Sequence, residues 1–311
     1  MLEVHRLRLL RELAYRGTIA AVAQALAYTP SAVSQQLTVL EREAGVALLE
    51  RDGRRVRLTP AGRSLVGHAE EVVAQLERAE ATLAATRDSL TGTLRLGAFP
   101  TAARVLMPSV LVMLGRDHPG LDLLVEEFDP ADAAEAVRAQ TLDAALSHDY
   151  DLLPLPEYAA LTSTVVLTEP MCLAATHEPR DPAEPVASFR DDWWVMGRPG
   201  NMCRVVAERI CHAAGFEPRV RHQTDDFPTA LALVAADQGQ ALLPRLGAVN
   251  APAGVVLVPL PYQTRVRVVH RRGAEAHPAI AAFRSAVAEA VEDYRLGTPV
   301  SPVTTSAAMS T

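Results

Sequence analysis

Residues 18 to 42, Thr-Ile-Ala-Ala-Val-Ala-Gln-Ala-Leu-Ala-Tyr-Thr-Pro-Ser-Ala-Val-Ser-Gln-Gln-Leu-Thr-Val-Leu-Glu-Arg, read as two short helices joined by a tight turn. Thr18 and Thr29 are N-cap residues by type, and Pro30 falls at the first helical position, where a missing N–H costs nothing. Ile19, Val22, Ala23 and Leu26 form one apolar face, and Val33, Leu37 and Leu40 form another at helical spacing. The second helix keeps small polar residues, Ser31, Ser34, Gln35 and Thr38, on its front. A helix with an apolar back and a short hydrogen-bonding front can enter a major groove and reach base edges. The same pattern would also suit an ordinary helical hairpin in a larger core.

The next segment narrows the choice. Leu48 to Gly62 places Asp-Gly between two short β-prone runs, a hairpin signal, and loads that hairpin with Arg51, Arg54, Arg55 and Arg57. A basic hairpin beside a helix-turn-helix is a wing that can touch phosphate or the minor groove. The string Pro-Ser-Ala-Val-Ser-Gln-Gln-Leu, then Leu-Glu, Leu-Leu-Glu-Arg and Leu-Thr-Pro-Ala-Gly, resembles the N-terminal domain of the LysR-type transcriptional regulators. The likeness is strong to about Gly62 and looser beyond. It implies DNA contacts from Thr18, Thr29, Pro30, Ser31, Ser34, Gln35, Thr38, Arg51, Arg54 and Arg55, on an inverted-repeat promoter site.

The charge distribution agrees. The chain has a net charge of −7, and all 30 of its basic residues are arginine. Residues 1–63 carry ten arginines against six acids, a balance of +4 that leaves −11 for the rest. A basic head on an acidic body suits a DNA reader whose other part binds something else. With 311 residues and 49% hydrophobic content, two or three domains and a sizeable core are expected. No apolar run is long enough to span a bilayer and no secretion signal is evident, so a soluble, cytoplasmic chain without membrane contact is expected.

From Leu65 the rhythm changes. Leu65, Ala69, Val72, Leu76, Ala79, Leu83, Thr86 and Leu90 alternate spacings of four and three, an a/d seam on one helix. A single helix with so narrow a stripe needs a partner, either a second copy or the chain's own body. The family resemblance implies a homodimer through this helix, and tetramers assembled through the C-terminal part.

Beyond Gly92 short apolar runs alternate with helices, an α/β region with largely parallel sheets. Strands are expected at 161–168 and 171–177, and again at 255–260 and 264–270, with one helix over 101–116. The overall fold class is α/β: a winged helix-turn-helix (1–60), a linker helix (61–90), and an effector-binding region (91–296). By resemblance that last region is built like a periplasmic solute-binding protein, with subdomain I at 91–166 and 266–296 and subdomain II at 167–265, joined by two crossing strands with a ligand cleft between them. A disordered tail is expected at 297–311. Asp237 stands where relatives place glycine, and Asp tolerates the left-handed geometry of a helix end.

In such sheets a ligand sits outside the carboxyl ends of strands, near helix starts. Phe99-Pro100-Thr101-Ala102 and Gly197 to Met202, including Asn201, qualify, with His148, Thr224 and Asp225 on the rim. Thr101, Asn201 and Asp226 could equally be helix caps, and His148 a surface residue. The resemblance favours Thr101, His148, Asn201 and Thr224 as effector contacts. The expected ligand is a small carboxylate or amino acid.

Nothing points to an enzyme. There is no Gly-x-Ser-x-Gly, His-Glu-x-x-His, Walker loop or Cys-x-x-Cys, and the histidines lack metal-ligand spacing, so neither cofactor nor metal is expected. Two alternatives stand beside the regulator reading. One is a solute-binding protein. The other is a redox-sensing regulator using Cys203 and Cys211, although Met202 occupies the position where peroxide-sensing relatives carry their reactive cysteine. On one helix, eight residues would hold those cysteines about 12 Å apart, beyond disulfide reach.

Overall fold

A computed structural model describes the chain except residues 53, 54, 88, 157 and 298–311; at 51, 52, 55 and 131 it describes the backbone only. Most of the expected tail therefore lies outside the described residues.

The head is three helices and a hairpin. Helices α1 (Val4–Arg16), α2 (Ile19–Ala25) and α3 (Pro30–Ala44) precede strands β1 (Leu49–Asp52) and β2 (Arg55–Leu58). Thr18 Oγ1 accepts from the Ala21 amide at 3.1 Å and Thr29 Oγ1 from the Ala32 amide at 3.2 Å, so both expected caps form. Leu9, Leu10, Val22, Val33, Leu37 and Leu40 close the core beneath them. Glu41 of α3 accepts from the amides of Leu48 and Leu49 at 2.9 and 3.0 Å, which ties the hairpin to the second helix. Thr59 then caps the long helix α4 (Pro60–Ala84). A Cβ at Gly62 would lie 2.2 Å from the Leu48 carbonyl oxygen, so only glycine lets α4 start this close to the wing.

Helix α4 ends at Ala84, earlier than the spacing suggested, so Thr86 and Leu90 are not part of a helical seam. Its buried face is Glu70, Val73, Ala74, Glu77, Ala81 and Ala84. The seam residues Val72, Leu76 and Leu83 are exposed, Leu83 by 67%.

The body is built from β3 (Gly92–Ala98), α5 (Pro100–Val105), α6 (Met107–Asp117), β4 (Leu121–Glu127), α7 (Pro130–Arg138), β5 (Ala144–Tyr150), β6 (Leu161–Ala175), β7 (Trp193–Met196), α8 (Met202–Ala213), β8 (Arg219–Gln223), α9 (Phe227–Ala235), β9 (Ala241–Pro244), β10 (Val256–Arg271) and α10 (Pro278–Gly297). The main sheet runs β4-β3-β5-β10-β6-β9, and β7 pairs with β8 apart from it.

Three expectations are corrected here. The sheet is mixed: β3 is parallel to β4 and β5, whereas β10 is antiparallel to β5 and β6, and β6 to β9. The four strands expected at 161–177 and 255–270 are two long ones, β6 and β10, that run through both lobes. Pro170, Pro259 and Pro261 make each read as broken, because proline lacks a ladder donor. The pairing accommodates them with a register shift between Pro259 and Gln263. The single helix expected at 101–116 is split at Leu106, since Pro108 removes an N–H and disfavours helical geometry just before it.

Each lobe has its own core. Leu96, Val110, Leu146, Val268, Phe283 and Val287 fill one, and Met171, Leu173, Phe189, Trp194, Val206 and Ile210 the other. Asp237 closes the end of α9 at φ 58°, the left-handed geometry expected of it.

Head and body are joined by buried ions. Glu12 of α1 pairs with Arg138 of α7, both side chains 3% exposed. Arg16 reaches Glu135 at 2.6 Å, Tyr15 donates to Glu70 at 2.8 Å, and the Arg138 guanidinium lies 4.4 Å above the Tyr15 ring. Farther along α4, Glu77 accepts from Arg271 at 2.8 Å and Gln140 at 3.1 Å. Gly273 (φ +98°) packs so tightly on α4 that a Cβ would sit 2.2 Å from the Ala74 carbonyl oxygen.

Candidate functional site

The front of α3 is open to solvent. Pro30, Ser31, Ser34, Gln35 and Thr38 are all exposed, at spacings that put the last four on one helical face. Val33, Leu37 and Leu40, 1% exposed or less, hold the opposite face against α1 and α2. The Thr38 hydroxyl donates back along its own helix to the Ser34 carbonyl at 3.0 Å, and Thr29 Oγ1 lies 3.1 Å from Ser31 Oγ. Thr18 and Thr29 are exposed cap residues whose oxygens already accept from backbone. Arg51 and Arg55 lie in the paired strands β1 and β2, in register with Val56 and Asp52 respectively. Arg54 lies outside the described residues.

A cleft of about 290 Å³ opens between the two lobes at the carboxyl ends of β3, β5 and β7. Phe99, Pro100, Thr101, His148, Asn201, Met202, Thr224 and Asp225 all line it. Ala102 turns the other way, fully buried in the first lobe's core. Thr101 is 6% exposed and follows Pro100, which opens α5; Phe99, not Thr101, holds the cap position, and it makes no side-chain cap bond. Among the described residues the Thr101 hydroxyl has no partner, so it is available to a ligand.

Asn201 does serve as a cap. Its Oδ1 accepts from the Cys203 and Arg204 amides at 2.8 and 3.3 Å, which fixes the side chain and leaves its NH₂ as the group free to donate. Asp225 accepts from the Arg198 amide at 2.8 Å, and Thr224 from the Asp226 amide at 3.2 Å. Gly197 makes this corner possible, because a Cβ there would come within 3.1 Å of Asp225 and 3.2 Å of Asn201. Asp226 caps α9 through the Thr229 amide at 2.9 Å and faces Arg104 of the other lobe at 3.7 Å.

His148 is a strand residue and not a surface loop residue. Its ring packs edge-on against Phe99 at 4.4 Å, and Nε2 lies 3.2 Å from Tyr150 Oη. Removal from water pushes its pKa down to about 4, against the opposing pull of Asp149, so the imidazole is neutral at pH 7. The cleft wall also holds Tyr150, Arg204, Glu127 and Asp129, which the sequence reading missed, and Cys203, which it weighed only for redox chemistry. Tyr150 could have been found: it lies two residues beyond His148 on one strand and so shares its face.

Cys203 and Cys211 lie on α8, and Cys211 is fully buried. Burial pushes both thiols, and that of Cys172, up to about 12. Neutral thiols are poor nucleophiles. Among the described residues no cluster of His, Cys, Asp or Glu could hold a metal ion, and no helix is long and apolar enough to cross a membrane.

Comparison with known proteins locates these parts. Residues 4–63 match the bacterial regulatory helix-turn-helix model of the lysR family, and residues 87–292 match the LysR substrate binding domain. The chain is 29% identical over 274 residues to the transcriptional dual regulator GltC of Bacillus subtilis, covering 86% of this chain and 89% of that one. It is 31% identical over 249 residues to a probable hydrogen peroxide-inducible genes activator of Mycobacterium avium, covering 77% and 76%. Among solved structures, a full-length OxyR variant from Pseudomonas aeruginosa superposes with a TM-score of 0.57 at 23% identity, over 92% of this chain and 95% of that one.

Proposed function

Because the chain belongs to the LysR family of bacterial transcriptional regulators, we propose that it reads an inverted-repeat DNA site with α3 and its wing, and that a small polar metabolite in the lobe cleft sets how it engages that site. On this reading Ser34 and Gln35 meet base edges, Pro30 and Ser31 approach the groove wall, and Arg51, Arg54 and Arg55 contact phosphate or the minor groove. Thr18, Thr29 and Thr38 border the same surface. Two copies pair through the exposed seam of α4, and tetramers form through the bodies. The protein works in the cytoplasm, where its DNA is.

One observation carries the effector assignment. Thr101 from one lobe and Asn201 from the other present polar groups to the same cleft, so a ligand held by both draws the lobes together. Carboxylate is the ligand group that suits a hydroxyl and an amide NH₂. Glu127 and Asp129 from the first lobe and Asp225 from the second line the same cleft and suit an ammonium, so an amino acid matches both kinds of group. The cysteines speak for this reading over a redox one: the Cys203 thiol is held neutral, and both Cys203 and Cys211 are fixed on a single helix.

The test is a metabolite screen by thermal shift on the full chain. An effector at about a hundred times its dissociation constant stabilises the fold by about 2.7 kcal/mol. Thr101→Val removes the hydroxyl at nearly constant volume and is expected to weaken binding roughly tenfold, the worth of one hydrogen bond of about 1.4 kcal/mol. An effector that binds Thr101→Val and Asn201→Ala as tightly as the parent would remove the pocket assignment and leave the regulator reading intact.

A further inference from the structure

Strand β5 has two faces. His148 and Tyr150 look into the cleft, and Ser147 and Asp149 look away from it, into a larger cavity of about 770 Å³ on the back of the sheet. Asp149 is 3% exposed, and it accepts from Arg265 Nε at 2.7 Å through one oxygen and from Arg267 Nε at 2.9 Å through the other. Both arginines come from β10, two residues apart on one face, and both line the cavity. Among the described residues, two guanidiniums against one carboxylate leave this wall with a net charge of +1. Each arginine spends only its Nε on Asp149, and its Nη groups have no partner among the described residues. Leu155 and Tyr158, from the segment between β5 and β6, add an apolar and aromatic side, and Val269 continues the arginine face of β10.

We propose that this back cavity is a second ligand site, separate from the lobe cleft, for a small organic monoanion: a carboxylate on the Arg265 and Arg267 guanidiniums and an apolar body against Tyr158 and Leu155. Guanidinium forks match carboxylate geometry, and one unbalanced positive charge matches one anion. The site touches three parts of the molecule. Its floor is the strand that carries His148 and Tyr150 to the cleft. One rim is the start of α7, whose far end holds Arg138 on Glu12 of the head. The other rim is Tyr158, which packs edge-on against Tyr15 of α1 at 6.2 Å. A ligand here lies between the cleft and the head.

The experiment uses benzoate as probe and its uncharged analogue benzamide as control, titrated calorimetrically into the full chain. Benzoate is expected to bind and benzamide to bind at least about tenfold more weakly, since hydrogen bonds to charged groups are worth that much. Arg265→Met with Arg267→Met is expected to abolish the preference for benzoate. Ser163→Trp fills the cavity from an exposed strand position and leaves the ion cluster intact, so it decides the matter if the double variant fails to fold; it is expected to block benzoate. Thr101→Val, in the cleft, is expected to leave benzoate affinity unchanged. Equal binding of benzoate and benzamide, no binding of either, undiminished binding to Ser163→Trp, or loss of binding in Thr101→Val would each overturn the proposal.

Discussion

Gln35 stands on the exposed front of α3 with no competing hydrogen bond among the described residues, and its amide can pair bidentately with adenine N6 and N7. Gln35→Ala is therefore expected to cost about 1–3 kcal/mol at the cognate site and to relax preference at one base pair. A binding-site selection with the variant checks this; an unchanged motif at unchanged affinity would contradict it. A second residue gives the body a pH dependence. Glu169 of β6 is 4% exposed, accepts from the Leu246 amide at 2.9 Å and the Tyr294 hydroxyl at 3.0 Å, and is raised by burial from 4.5 to about 7. Since its folded pKa lies above its unfolded one, the native state binds the extra proton between those values. Stability thus falls as pH rises from about 4.5 to about 7, by roughly 3 kcal/mol in full. Glu169→Gln is expected to flatten that slope in denaturant melts run across the window; a slope that persists in the variant would place it elsewhere.

Elements with strong local chemistry were legible in the sequence. The caps at Thr18 and Thr29, the helix faces of Val33, Leu37 and Leu40, the hairpin pairing of β1 with β2 and the helix end at Asp237 each follow from a residue's own geometry. What was not legible depends on partners far away in the chain. Glu70 and Glu77 lie off the a/d seam of α4, yet both are buried because Tyr15 and Arg271 arrive from other elements. The prolines of β6 and β10 hid two continuous strands, since a bulge and a long antiparallel partner are not visible in local spacing. His148 was expected at the cleft with a surface residue as the alternative, whereas Tyr150 went unnoticed beside it and Cys203 was weighed only for redox chemistry. Helix α4 carries one face against its own body and leaves Val72, Leu76 and Leu83 open. Leu76→Asp with Leu83→Asp would set desolvated charges into a paired seam, so sedimentation is expected to show loss of dimers with the body still folded. A double variant that sediments like the parent would show that the seam is not the pairing surface.

At the scale of the whole molecule, the basic head and the acidic body are one connected object. Glu12–Arg138 is a buried pair between them, and Glu77–Arg271 ties the linker helix to the body; a buried pair that loses one partner costs about 3–5 kcal/mol, so the Glu12–Arg138 contact is either intact or open and not gradually loosened. That is the kind of two-state joint through which a ligand can act at a distance, provided it binds one arrangement better than the other. The most direct measurement of the central claim is a footprint of the purified chain on its own upstream DNA, with and without a metabolite that the thermal-shift screen identifies. The account predicts protection of an inverted repeat whose extent or affinity changes when the metabolite saturates the cleft, and the same change in Thr101→Val only at roughly tenfold higher metabolite. Uniform, sequence-independent protection, or a specific footprint indifferent to a saturating cleft ligand, would contradict it.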